Sequence, residues 1–241
     1  MIKRLKELIQ ENRDYHKQSI DLQMENYFAN RFHDSIRGIN ETHELCLNIG
    51  GWAGNYSFFY LLNRIILNYK FNSIIEFGLG ESTKLINAYR KSSRIVCKYT
   101  IFEEDKSWLD FFTSNNKLKD DTKLLFKSAE FLTINDCEVN CYQNLDVKEL
   151  VGNEVFYIID GPKGSPNYSR YEIVRIAENF NEKTEFLILL DDYNRAGEKQ
   201  TIDNLIKILE SKNIFFKKQV YQASRSQIVI ASKKYEYTCS F

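Results

Sequence analysis

With 241 residues, 33 Lys plus Arg against 33 Asp plus Glu, and 43% hydrophobic residues, the chain has an ordinary soluble composition and the length of one to two domains. Zero net charge removes the excess of Lys and Arg on which sequence-independent nucleic-acid binding rests, so no nucleic-acid partner is expected. Apolar runs such as Phe58 to Leu62 are far shorter than the ~20 residues that span a bilayer, and the first residues mix Lys, Arg and Glu without an apolar signal core. No transmembrane segment and a cytoplasmic location are therefore expected.

In residues 1–70, Ile2, Leu5, Leu8 and Ile9, then Phe28, Phe32 and Ile36, recur at helical spacing with charges between them. This predicts one or two amphipathic helices, read as a layer or lid on the main domain and as a surface for homo-oligomer formation. The mixed charge of their polar face argues against a membrane-surface helix. The stretch GGWAGNYS, Gly50 to Ser57, predicts a loop whose glycines and flat rings either cover a ligand or anchor a turn. A further apolar helical segment follows, from Phe58 to about Tyr69.

From residue 71 a second domain is expected, in which short β-type runs alternate with helical ones. Strands are predicted at about 73–77, 98–103, 155–160, 185–191, 214–221 and 226–232, and helices at about 82–90, 105–115, 169–180 and 198–211. Ser169 and Glu172 form a capping-box pattern, and Ile202, Leu205, Ile206 and Leu209 make one apolar face. Such alternation implies an α/β fold, a mostly parallel sheet with helices on both faces. The short link around Ser224 and Arg225 suits a hairpin, which makes the last strand antiparallel. Residues 122–150 should hold another strand, near 123–128, plus an insertion. The five cysteines read as free thiols, since Cys137 and Cys141 lack the second ligand pair that structural zinc requires.

Candidate chemistry gathers at strand ends. In SIIEFGLGESTKL an apolar strand passes through Glu76 into Gly78 and Gly80 and then directly into a helix opened by Ser82 and Thr83. Glycines there permit a tight turn and close approach to a bound group, and the helix start adds amide and hydroxyl donors. The segment lacks the third glycine of the dinucleotide fingerprint and the lysine of a P-loop. In CKYTIFEED a carboxylate, Glu103, ends the next strand, where it can accept from both hydroxyls of a ribose; Glu104 and Asp105 suit the start of the following helix. Asp160 ends the strand before GPKGS, and Asp191 and Asp192 end the strand before YNR. Three aspartates at two strand tips either cage a hard cation such as Mg²⁺ or supply a general base.

The order EFGLGEST, FEED, DGPKG, DDYNR over residues 73–200 resembles class I S-adenosylmethionine-dependent methyltransferases. It is similar, more narrowly, to the plant glucuronoxylan O-methyltransferases and their relatives in polysaccharide biosynthesis. The resemblance implies a Rossmann-like, seven-stranded sheet with an antiparallel last strand. It implies cofactor contacts from Glu76, Gly78, Gly80, Ser82, Thr83, Glu103 and Asp160, and a catalytic group of Asp160, Asp192 and Arg195. The plant proteins carry His where this chain has Asp191. That departure moves the pattern toward metal-dependent O-methyltransferases, with Asp160, Asp191 and Asp192 as the implied ligands of Mg²⁺ or another divalent cation. The expected reaction is methylation of a hydroxyl on a glycan or other small substrate, with Lys163, Arg170 and Arg195 available to pair with a substrate carboxylate. The alternatives are a Rossmann-like enzyme of another nucleotide cofactor, such as a nucleotide-sugar enzyme, and a non-catalytic binding protein on the same fold.

Overall fold

The all-apolar runs Val155–Ile159 and Phe186–Leu190 lie at the centre of one seven-stranded sheet, buried on both faces as such runs require. The computed structural model describes residues 2–241. In chain order it contains α1 (Ile2–Ile36), α2 (Tyr56–Asn68), β1 (Ser73–Phe77), α3 (Glu81–Lys91), β2 (Lys98–Glu103), α4 (Lys106–Asn115) and β3 (Thr122–Phe126). There follow a hairpin of β4 (Ala129–Ile134) and β5 (Cys137–Tyr142), then β6 (Val155–Ile159), α5 (Glu172–Ala177), β7 (Phe186–Leu190), α6 (Ala196–Ser211), β8 (Lys217–Gln222) and β9 (Ser226–Ala231).

The strand order is β3-β2-β1-β6-β7-β9-β8. The first five strands run parallel; β9 inserts antiparallel between β7 and β8, as the short link at Ser224 and Arg225 predicts. From β1 the chain builds outward to β2 and β3, then returns to the other side of β1 for β6. Ligand crevices form at such a switch, beyond the carboxyl ends of the strands.

One apolar core lies between the sheet and α2 and α3, and includes Phe28 and Phe32 of α1; a second lies between the opposite face and α5 and α6. The insertion expected in residues 122–150 is the β4–β5 hairpin, which stands apart from the main sheet.

One of the two helix counts expected for the N-terminal segment is met, its packing is less extensive than a full layer, and one helix boundary is corrected. Before residue 50 there is one α-helix of 35 residues, followed by a short 3-10 turn at Asn40–Thr42, and only its C-terminal half packs: Phe28 and Phe32 are buried, while Leu5, Leu8 and Ile9 are exposed. At 1.5 Å per residue the helix is ~50 Å long, so its apolar N-terminal positions lie beyond the surface that buries the rest. The helix predicted at 169–180 is shorter, Glu172–Ala177, and Ser169 and Glu172 do not cap it. Ser169 Oγ instead accepts from Ser165 N, and Glu172 Oε1 accepts from Tyr142 N. Just before the helix, Tyr168 and Arg170 adopt left-handed φ values of 47° and 60°, which turn the Arg170 side chain into the strand tips.

Candidate functional site

A cavity of about 820 Å³ opens over the carboxyl ends of β1, β2, β6 and β7, within the usual range for a small-molecule site. Its floor is the switch between β1 and β6. Gly78 has φ +99°, and a Cβ built on it would lie 3.0 Å from the main-chain carbon of Asp160. Only glycine meets both demands. At Gly80 a Cβ would meet nothing within 4 Å, so the backbone there borders open space. Gly78, Leu79, Gly80, Glu81 and Ser82 line this end of the cavity.

Glu76, expected to touch the cofactor, lies behind the loop. Strand alternation places it beside Ile74 on the face that α3 covers, fully buried. It accepts from Ser82 Oγ at 2.5 Å, from Thr83 Oγ1 at 2.9 Å and from the Tyr99 hydroxyl. Burial pushes its pKa up to about 7, with the hydroxyl donors working against the rise. Thr83 is buried as well and accepts from Gly80 N at 3.1 Å. Glu76 and Thr83 therefore shape the glycine turn from beneath; neither lines the cavity.

Glu103 lines it as expected. Its carboxylate accepts from Leu79 N at 2.9 Å and Asp105 N at 2.7 Å, and each oxygen keeps lone-pair capacity for a ligand hydroxyl. Burial raises its pKa, against those amide donors. Asp105 caps α4 by accepting from Trp108 N at 3.0 Å. Glu104 accepts from Lys163 N and Asn140 Nδ2, tying the 161–165 turn to the hairpin. Trp108 was not foreseen. Its indole N–H donates to Leu79 O at 2.7 Å, and the half-exposed ring, stacked on Phe111, forms an aromatic wall next to Glu103.

At the other end Asp160, Asp191 and Asp192 converge, with one carboxylate oxygen from each lying within 4.8 Å of the others. Arg170 enters this group. Its Nη2 lies 3.0 Å from Asp160 Oδ1 and 3.0 Å from Asp192 Oδ2, and its Nη1 donates to Asp191 O at 2.9 Å. Arg170, expected to pair with a substrate carboxylate, borders the cavity but is buried and paired with the acids. Arg195 Nη1 lies 3.0 Å from Asp192 Oδ2 with its side chain half-exposed at the rim, and Arg225 Nη1 approaches Asp192 Oδ1 at 3.8 Å. Burial, reinforced by Asp191 and Asp192 and opposed by Arg170, pushes the Asp160 pKa up to about 8. The Asp191 pKa is also raised, by burial first and the Asp192 charge second. Asp192 has a left-handed φ of 58°. Asp191 Oδ2 and Asp192 Oδ1 are buried without a hydrogen-bond donor.

No protein-family model matches the chain. No curated protein matches it in sequence either. Among solved structures it is similar to an SAH-bound methyltransferase of Podospora anserina (TM-score 0.45, 10% identity, covering 86% of this chain and 87% of that one). It is also similar to precorrin-6y C5,15-methyltransferase of Geobacter metallireducens (TM-score 0.42, 12% identity, 79% and 90%). A third is methyltransferase FkbM of Methylobacillus flagellatus (TM-score 0.41, 11% identity, 82% and 60%).

A polar chain connects the acidic end to the N-terminal helices. Gln227 Nε2 donates to Asp191 Oδ1 at 2.7 Å and to Asn55 Oδ1 at 2.8 Å. Asn55 Nδ2 in turn donates to Glu25 Oε2 of α1 at 2.7 Å. The Gly50–Gly54 loop hangs from this connection: Arg225 donates to Gly51 O, and Trp52 stands fully exposed at the cavity mouth. Gln227, Arg225 and Glu25 escape sequence reasoning because each comes from a hairpin or helix whose docking no local pattern announces. Among the described residues no helix is long and apolar enough to cross a membrane.

Proposed function

We propose that this chain is an S-adenosylmethionine-dependent O-methyltransferase acting on a hydroxyl of a glycan or other small hydroxylated acceptor. The observation that carries this reading is the enforced contact of Gly78 with Asp160, which sets an open glycine turn, the Glu103 carboxylate and the Asp160 carboxyl around one cavity. The residues fit the cofactor. Glu103 can take the ribose hydroxyls, Trp108 offers a flat face for the base, and the open backbone at Gly80 admits the amino-acid end.

When bound, S-adenosylmethionine supplies a methyl group on a sulfonium for in-line displacement by the acceptor oxygen. The chain's part is alignment and proton removal. Asp160 is positioned for the second, since a quarter of its side chain is open to the cavity at the β6 tip. Arg195 and Lys163 line the same end and suit an acceptor with a carboxylate, as on a uronic acid. The turn lacks a dinucleotide fingerprint and a P-loop lysine, which disfavours a nicotinamide or nucleoside-triphosphate enzyme.

Thermal-shift and calorimetric titration with S-adenosylmethionine, S-adenosylhomocysteine, NAD and UDP-sugars tests the reading. Stabilisation by the first two alone is expected. A protein that ignores both and responds to NAD or a UDP-sugar belongs to another cofactor class. Release of S-adenosylhomocysteine across a panel of neutral and uronic-acid glycans then identifies the acceptor.

A further inference from the structure

Asp192 is surrounded by guanidinium groups. Arg170 and Arg195 each lie 3.0 Å from its Oδ2, and Arg225 lies 3.8 Å from its Oδ1. Arg170 bridges from there to Asp160 Oδ1 at 3.0 Å, with its Nε 3.8 Å from the buried Glu198. A divalent ion coordinated at ~2.0–2.6 Å by Asp160 and Asp192 would sit among these cations, where like charges repel. The backbone is distorted to create the arrangement, since Arg170 and Asp192 both hold left-handed φ, 60° and 58°. Non-glycine residues persist in that region only where their surroundings force them, and such strain clusters at functional sites.

We propose that Arg170 is the resident cation of the carboxylate cluster, occupying the role of a divalent ion and holding Asp160 and Asp192 in register for the acceptor. The occupancy of the cluster stands on the geometry alone; the service to an acceptor rests on the methyltransferase reading. Arg170 is then a positioning residue, acting on the acceptor through Asp160. Neutral donors hold one oxygen of the third acid: Asp191 Oδ1 accepts from Gln227 Nε2 and from Asp192 N at 2.8 Å, while Asp191 Oδ2 and Asp192 Oδ1 have no hydrogen-bond donor. The guanidinium is retained because its planar fork reaches two carboxylates and a carbonyl at once, which an ammonium cannot reproduce.

Electron paramagnetic resonance of Mn²⁺ titrated into the intact protein, with and without EDTA pretreatment, tests this directly. The wild type should leave Mn²⁺ free up to about millimolar, and its S-adenosylhomocysteine affinity should not change with EDTA. Arg170→Met should gain Mn²⁺ binding at least tenfold tighter than wild type, and adding Asp192→Asn should abolish the gain. Arg170→Lys, which restores a cation without the fork, should again exclude Mn²⁺. Stoichiometric Mn²⁺ binding by wild type that is lost in Asp192→Asn overturns the proposal, as does a folded Arg170→Met that binds none. Should Arg170→Met not fold, the wild-type and Arg170→Lys titrations still decide, because Mn²⁺ bound by either one contradicts a site already filled. Failure of wild type to bind S-adenosylhomocysteine would sink the methyltransferase reading and leave the Mn²⁺ result standing.

Discussion

At the β1 end of the cavity the ligand-facing surface is largely main chain, shaped by Gly78 and Gly80 and backed by the hydroxyls that Glu76 holds. At the β6–β7 end it is charged side chain, with Asp160, Asp192, Arg170, Arg195 and Arg225 locked to one another. The first kind of surface approaches any ligand closely and discriminates little. The second is fixed by ion pairs drawn from several segments, so it can be tuned to a particular acceptor without disturbing the first. A cofactor shared by many reactions suits the one, and a specific acceptor suits the other.

Substitutions should separate the two ends. On the proposed methyltransferase reading, Asp160→Asn is expected to have the largest effect, slowing methyl transfer roughly 10²- to 10⁴-fold while leaving S-adenosylhomocysteine affinity, measured by calorimetry, unchanged. An equal loss of affinity would show that the ends are not independent. Gly78→Ala should cost on the order of 1–3 kcal/mol in denaturant unfolding, because the new methyl meets the Asp160 main chain at 3.0 Å from a left-handed backbone; here cofactor binding and turnover should fall together. Glu103→Gln should weaken the cofactor about 10- to 100-fold, the worth of hydrogen bonds to a charged group, with the acceptor KM unmoved.

A separate effect concerns pH. Glu76 and Glu172 are buried carboxyls with pKa values pushed up to about 7 in the fold, above the ordinary 4.5. The folded state therefore binds more protons than the unfolded chain between about pH 4.5 and 7, and stability must fall as pH rises through that window. Melting temperature should drop by ~5 °C or more from pH 5 to pH 8, and Glu172→Gln should reduce the drop. A flat profile would mean that these carboxyls are ionised in the fold.

Strands β6 and β7 were legible because double burial writes itself as continuous apolar runs, and the strand tips were legible because Gly78, Glu103, Asp160 and Asp191 stand where apolar strand patterns stop. Glu76 was expected at the cofactor; it is near the tip in number, but strand alternation puts it on the face that α3 covers. Arg170 was expected to pair with a substrate carboxylate; its burial depends on a left-handed turn and on acids at the ends of β6 and β7, which no local pattern around Ser169 and Glu172 announces. Trp108 and Gln227 owe their roles to one hydrogen bond to Leu79 O and to the pairing of β9 with β7. The exposed half of α1 shows the converse, a helical apolar pattern with no surface of the same chain beneath it.

The chain has two tryptophans, and both border the cavity. Trp52 is fully exposed on the glycine loop, and Trp108 is hydrogen-bonded beside Glu103. All indole emission from the protein thus originates at the cavity, one source at the mouth and one on the wall beside Glu103. Intrinsic fluorescence becomes a label-free monitor of occupancy. With Trp52→Phe reporting the wall beside Glu103 and Trp108→Phe reporting the loop, stopped-flow traces would show which end a ligand reaches first.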